Sequence, residues 1–297
     1  MVWATAVDYP LTKWLGENSW PAFAEFMDRS LFEGEAAGGG DPVILLLVGV
    51  LCAYALSRRP IAPERLAALR PALGFMLVGG ILAAFVNVHT LKWLVARARP
   101  HLVFDGKYVF SAWYEIGPHF ITEGVYRGSF PSGHTAQAFA VMVLAYALAG
   151  SPLASRGRKA AGWGVGVVAA GYTLAMGVAR CMAGVHWVTD VIGAMVLSWV
   201  TLQLLYFYIL KVPQQEMHRQ ALYRPGGLKD RWDLLLGLYL AAAALGTVLT
   251  GFGLRAIGGG HAGWLVTLLV PGVPLLLWGI CSSTGSCRRL NRLIASL

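Results

Sequence analysis

This sequence predicts an all-α integral membrane protein: a bundle of about six to seven transmembrane helices behind an N-terminal interfacial amphipathic segment. Two observations carry that expectation. Of the 297 residues, 57% are hydrophobic and 13% are charged, with a mean hydropathy of +0.58, whereas soluble domains carry about 25% charged residues. The apolar residues also gather into seven nearly continuous runs, at 41–57, 72–91, 134–150, 160–178, 187–209, 234–252 and 262–281. Six of these approach the ~20 residues that a helix needs to cross a bilayer, and the first is short. The runs are rich in Leu, Ala, Val and Gly and lack the period-two alternation of membrane strands.

Residues 1–40 read as the interfacial segment. Leu11, Trp14, Leu15, Phe23, Phe26, Met27 and Phe32 stand among charges at loosely helical spacing, in one or two pieces broken near Pro21. They would lie in the outer interface or cap the spans. A cleavable signal is not expected, because Asp8, Lys13 and Glu17 interrupt any apolar stretch. Ala36 to Gly40 form a hinge into a membrane core at 41–209. Within that core, the run at 160–178 holds Gly162, Gly164, Gly166, Gly171 and Gly177, the composition of close helix packing. Residues 210–233 read as a polar cytoplasmic linker. Residues 234–297 add two further spans, the last kinked by Pro271 and Pro274, and a basic tail.

Loop charge gives an expected orientation. Segments 58–71, 151–159, 210–233 and 282–297 carry 15 Lys and Arg against 4 Asp and Glu, and the rest of the chain carries 9 against 11. The positive-inside rule makes the first set cytoplasmic. The net charge of +9 is therefore explained by topology, and nucleic acid is not an expected partner. Cys52, Cys181, Cys281 and Cys287 show neither a metal-binding spacing nor an obvious disulfide pair.

Three short polar clusters border the apolar runs, and all fall on the side opposite the basic loops. They are Lys92-x6-Arg99-Pro100, Pro131-Ser132-Gly133-His134 and Arg180-x5-His186-x3-Asp190. Together they supply cations, two histidines, a carboxylate and a glycine turn, the content of a phosphate site that works through a histidine nucleophile. If the helix ending at Lys92 continues, Arg99 lies two turns on, and Pro100 stops it. Ser132 is a good N-cap residue, so the N–H groups of Ser132, Gly133 and His134 would form an anion site at a helix N-terminus. His186 and Asp190, four apart, share one helix face. Asp190 would accept a ring N–H from His186 and leave the other nitrogen free. Arg180 adds a bidentate cation. Arg97 reads as a snorkelling residue, its charge reaching water from a span end.

In these residues the chain resembles the type 2 phosphatidic acid phosphatase (PAP2) superfamily, in particular its bacterial membrane lipid phosphatases. The family pattern KxxxxxxRP, PSGH and SRxxxxxHxxxD is matched over about residues 72–208, except that Ala179 stands where Ser is usual. The resemblance implies that 41–209 is a catalytic core. His186 would be the nucleophile, Asp190 its orienter and His134 the acid and base, while Lys92, Arg99, Ser132, Gly133 and Arg180 bind phosphate. It implies no cofactor and no metal, three cations doing what magnesium does elsewhere.

The activity implied is removal of phosphate from a lipid phosphate or diphosphate in the bilayer: undecaprenyl diphosphate, phosphatidylglycerophosphate, phosphatidic acid or lipid A. The protein would be multi-pass in the cytoplasmic (inner) membrane, its site facing the periplasm or cell exterior. The same residues would serve a phosphotransferase passing the group from a polyprenyl diphosphate to lipid A. A non-catalytic lipid-binding or transport protein is the non-enzyme reading, and intact His186, His134 and Asp190 argue against it. The haloperoxidase relatives are soluble, unlike this chain. Aromatic residues between His101 and Phe130 would anchor in the headgroup region or cover the site, with Arg127 near a second phosphate.

Overall fold

The structure is a computed structural model that describes residues 2–59, 62–115, 127–223, 228, 231–259 and 263–297. Part of the aromatic loop between His101 and Phe130 lies outside these residues. Helices α1 (Val2–Glu17) and α2 (Pro21–Asp28) form the N-terminal segment. They are followed by α3 (Asp41–Ser57), α4 (Glu64–Ala68) and α5 (Arg70–Ile81), which runs through a π turn at Leu82–Val86 into α6 (Asn87–Val95). Next come α7 (Pro100–Phe104), α8 (Gly133–Ala140), α9 (Met142–Ala149), α10 (Arg156–Met182) and α11 (Val188–Gln203). A π turn at Leu204–Ile209 leads to α12 (Val212–Met217), α13 (Arg219–Leu222), α14 (Trp232–Gly259) and α15 (Leu269–Ala295). Among the described residues there is no strand.

Among the described residues, five helical stretches are long and apolar enough to cross a membrane: Arg70–Phe104, Arg156–Met182, Val188–Met217, Trp232–Gly258 and Gly263–Ala295. The expected first and third spans correspond to the shorter apolar helices Asp41–Ser57 and Gly133–Ala149. Two boundaries differ from expectation. The basic tail continues α15 to Ala295. The linker after residue 210 is folded, with Leu210, Val212 and Leu222 buried in the main core beside Phe75, Val143 and Tyr206.

Helix α8 sits at the centre, packed on the Leu82–Val86 turn, α10 and α11. Tight helix contacts set the geometry around it. A Cβ at Gly177 of α10 would stand 2.4 Å from Val191 Cγ1 of α11, so the glycine lets these two helices close up beside Arg180 and Asp190. Helices α14 and α15 pair backbone to backbone, where a Cβ at Gly246 would meet Leu276 N at 2.4 Å and one at Gly279 would meet Ala243 N at 2.5 Å. This pair attaches to α6 through the Trp93–Phe252 edge contact and the Arg255 Nη2 donation to Leu94 O.

Helices α1 and α2 lie against α10 and α11. Asp8 and Thr12, one turn apart on α1, are fully buried, whereas Val7, Leu11 and Trp14 are exposed. Helix α1 thus turns Asp8 and Thr12 inward onto the bundle and leaves Val7, Leu11 and Trp14 outward, as suits an interface with lipid.

Candidate active site

The three clusters meet through backbone hydrogen bonds that connect their loops. Ser132 N donates to Asp190 O (3.1 Å), Ser129 N to Arg97 O (2.8 Å), Gly128 N to Lys92 O (3.2 Å) and His101 N to Gly184 O (2.9 Å). Trp187, wholly buried, donates its indole N–H to Ala98 O at 2.8 Å. Each loop therefore satisfies its polar backbone on the next, as buried backbone must.

The first cluster is not one helix. Helix α6 ends at Val95, Ala96 takes a left-handed conformation (φ 50°), and Arg99 is extended because the following proline disfavours helix there. Pro100 opens α7 rather than ending α6, contrary to the expected continuity. Lys92 is buried, its Nζ donating to Gly128 O (3.4 Å) and Ser129 O (3.3 Å). Arg99 is half-buried, and its charge is felt at Lys92 and Arg180. Arg127 is exposed and acts electrostatically on Lys92 and His134.

Ser132 occupies the N-cap position of α8, but its hydroxyl makes no cap bond; it accepts from Thr135 Oγ1 at 2.8 Å. Its N–H is committed to Asp190 O, so the expected set of three anion-facing amides reduces to Gly133 and His134. A Cβ at Gly133 would be 3.8 Å from the Lys92 Cε, which puts the turn next to that cation.

Arg180 lies in the last turn of α10, where a cation suits the helix dipole, rather than at a loop start. It pairs with Asp28 Oδ1 at the end of α2, and its Nε is buried without a partner. The same Asp28 oxygen is 3.5 Å from His134 Nε2. Ala179, in the place of the usual Ser, packs its methyl with Met27, Ala138 and Met176, so the missing hydroxyl is replaced by an apolar contact to α2.

His186 and Asp190 are both buried, with His186 Nδ1 at 3.4 Å from Asp190 Oδ2. That oxygen also accepts the Trp187 N–H at 2.9 Å. Burial, reinforced by the Lys92 charge, pushes the His186 ring down to about 3, against the pull of Asp190, so the imidazole is neutral at neutral pH.

Arg97 corrects the sequence reading. It does not snorkel: it is 0% exposed. Its Nη1 donates to Asp190 Oδ1 (2.8 Å) and Thr189 Oγ1 (2.7 Å), its Nη2 to Asp8 Oδ2 (2.7 Å) and its Nε to Ser111 O (2.8 Å). The Phe110 and Trp187 rings flank the guanidinium. A buried arginine needs such partners, and two carboxylates supply them. Asp8, Thr189 and Asp28 were also not singled out from sequence. The one available signal was Asp8 and Thr12 on a common face of α1, otherwise an unlikely place for a buried acid.

Residues 71–213 match the family model described as the PAP2 superfamily, a segment that holds all three clusters and Arg97. No curated protein and no solved structure matches the chain. The segment 71–213, which holds the three clusters and the site they form, is thus where this chain matches the PAP2 superfamily.

Proposed function

We propose that the protein removes phosphate from a lipid phosphate or diphosphate through a phosphohistidine on His186. The family match supports a phosphatase or phosphotransferase type of chemistry. The observation that carries the finer reading is the neutral, buried His186, with one nitrogen toward Asp190 and with Lys92 and Arg180 nearby. Its Nε2 attacks phosphorus as the ester P–O bond breaks, and His134 gives a proton to the leaving oxygen. Water then attacks phosphorus as the P–N bond breaks and its electron pair returns to His186 Nε2, His134 takes the water proton, and phosphate leaves. Lys92, Arg99, Arg180, Ser132 and the Gly133 amide hold the equatorial oxygens, and Arg127 sits within reach of a second phosphate. These cations supply the charge stabilisation that a metal gives elsewhere, and no cofactor enters the scheme.

The lipid character of the substrate is supported by an apolar groove of about 340 Å³ lined by Leu91, Val95, Trp113, Phe130, Gly193 and Leu197, among others. Gly193 and Leu197 follow Asp190 by one and two turns of α11, so the groove runs along the same helix that carries this carboxylate, and an alkyl chain of the substrate is assigned to it. The loop charges favour the cytoplasmic (inner) membrane with the site on its outer side.

Phosphate release from a panel of lipid phosphates tests this reading, with and without a second lipid as acceptor. Release in excess EDTA that His186→Ala abolishes is expected. Release that requires added magnesium, or that persists in folded His186→Ala, would contradict it.

A further inference from the structure

Helix α1 lies outside the segment matched by the family model, yet it places a buried carboxylate against the catalytic group. We infer that Asp8 is a positioning residue for the reaction, acting through Arg97 and the N-terminus of α11 to aim the Asp190 carboxylate at His186. The inference rests on the phosphohistidine reading.

Helix α11 needs outside help at its start. Its N-cap position is Trp187, which has no side-chain oxygen to cap the first turn. Asp8 and Thr12 supply that cap from α1: Thr189 N donates to Asp8 Oδ1 at 2.9 Å and Val188 N to Thr12 Oγ1 at 3.4 Å. Asp8 Oδ2 then accepts from Thr189 Oγ1 and, at 2.7 Å, from Arg97 Nη2.

Asp8, Arg97, Thr189 and Asp190 are all 0% exposed, so water screens none of these contacts. One guanidinium stands between two carboxylates, with one arm for each. This division is what leaves Asp190 Oδ2 for His186 and the Trp187 amide. Without the Asp8 charge, Arg97 would turn both arms onto Asp190 and draw the carboxylate from the imidazole. The other charges facing His186, Lys92 on α6 and Arg180 on α10, are cations and offer Arg97 no replacement partner.

The test compares Asp8→Asn with the full-length wild-type protein in detergent micelles. Removing a group that holds a ligand from behind commonly costs ~10–100-fold. Asp8→Asn should lower kcat by that order, with KM within about twofold, because the groups that grip phosphate and the apolar groove are untouched. Nitrogen NMR of labelled histidines, with His186 assigned by His186→Ala, should show a single Nδ1–H tautomer in wild type and a mixture in Asp8→Asn. A purely structural Asp8 would instead lower Tm and leave both kcat and the single tautomer in place, and that result would overturn the inference. Should Asp8→Asn fail to fold, Asp8→Glu, which keeps the charge but shifts the carboxylate away from Arg97 and the Thr189 amide, is judged by the same two readouts. If wild type releases no phosphate, the functional reading fails, and the tautomer measurement, which needs no substrate, still decides the placement by Asp8.

Discussion

Among single residues, His186 and Asp28 make the sharpest statements. A histidine ordinarily titrates near 6.5, but burial and the Lys92 charge hold His186 down to about 3. Its ring signal should therefore stay constant from pH 5 to 8 in NMR of the detergent-solubilised protein, and a shift centred near 6.5 would contradict the packed site. The sign for stability follows. The unfolded chain takes up the proton first as pH falls, so the neutral ring's contribution is lost progressively between about 6.5 and 3. Asp28 pairs with Arg180 and lies 3.5 Å from His134 Nε2, so its carboxylate competes with a phosphate for the same guanidinium. It is half-exposed, and such pairs are worth at most about 1 kcal/mol. Asp28→Asn should thus lower KM by up to about fivefold with kcat little changed, measured on initial rates. A higher KM would mean that Asp28 prepares Arg180 for substrate instead of competing with it.

At the scale of elements, what was legible in the sequence was whatever repeated at short range. The apolar runs announced helices, but the expected shared helix face of His186 and Asp190 is not found: His186 stands in the loop before Trp187, the N-cap of α11, and reaches Asp190 from there. Arg97 was misread because its partners, Asp8 and Asp190, are 89 and 93 residues away. Spacing within one loop carries no record of such pairings. Asp8 was hidden for the same reason, since the amide that it caps is 181 residues on. Glycines in α10 were legible as packing residues, but only the fold distinguishes among them. A Cβ at Gly177 would collide with Val191, whereas one at Gly171 meets nothing within 4 Å. Gly177→Val should therefore push α10 from α11, cost about 1–3 kcal/mol as overpacking does, and lower kcat by separating Arg180 from Asp190. Gly171→Val on the same helix should do neither. Equal effects in thermal unfolding and turnover would show that helix propensity, not the close approach, governs both sites.

At the scale of the whole molecule, the matched segment 71–213 carries the three clusters, and elements on either side complete it. Helices α1 and α2 bring Asp8 to Arg97 and Asp28 to Arg180, and α14, paired with α15, attaches to α6 just beyond Lys92. The central claim is that this assembly makes His186 the nucleophile. It is tested most directly by quenching turnover of a lipid phosphate labelled in its phosphoryl group and mapping the protein-bound label. We expect one phosphopeptide, containing His186, stable to base and labile to acid, and absent from His186→Ala. Label on any other residue, or full turnover in wild type with no covalent phosphate at any quench time, would contradict the claim.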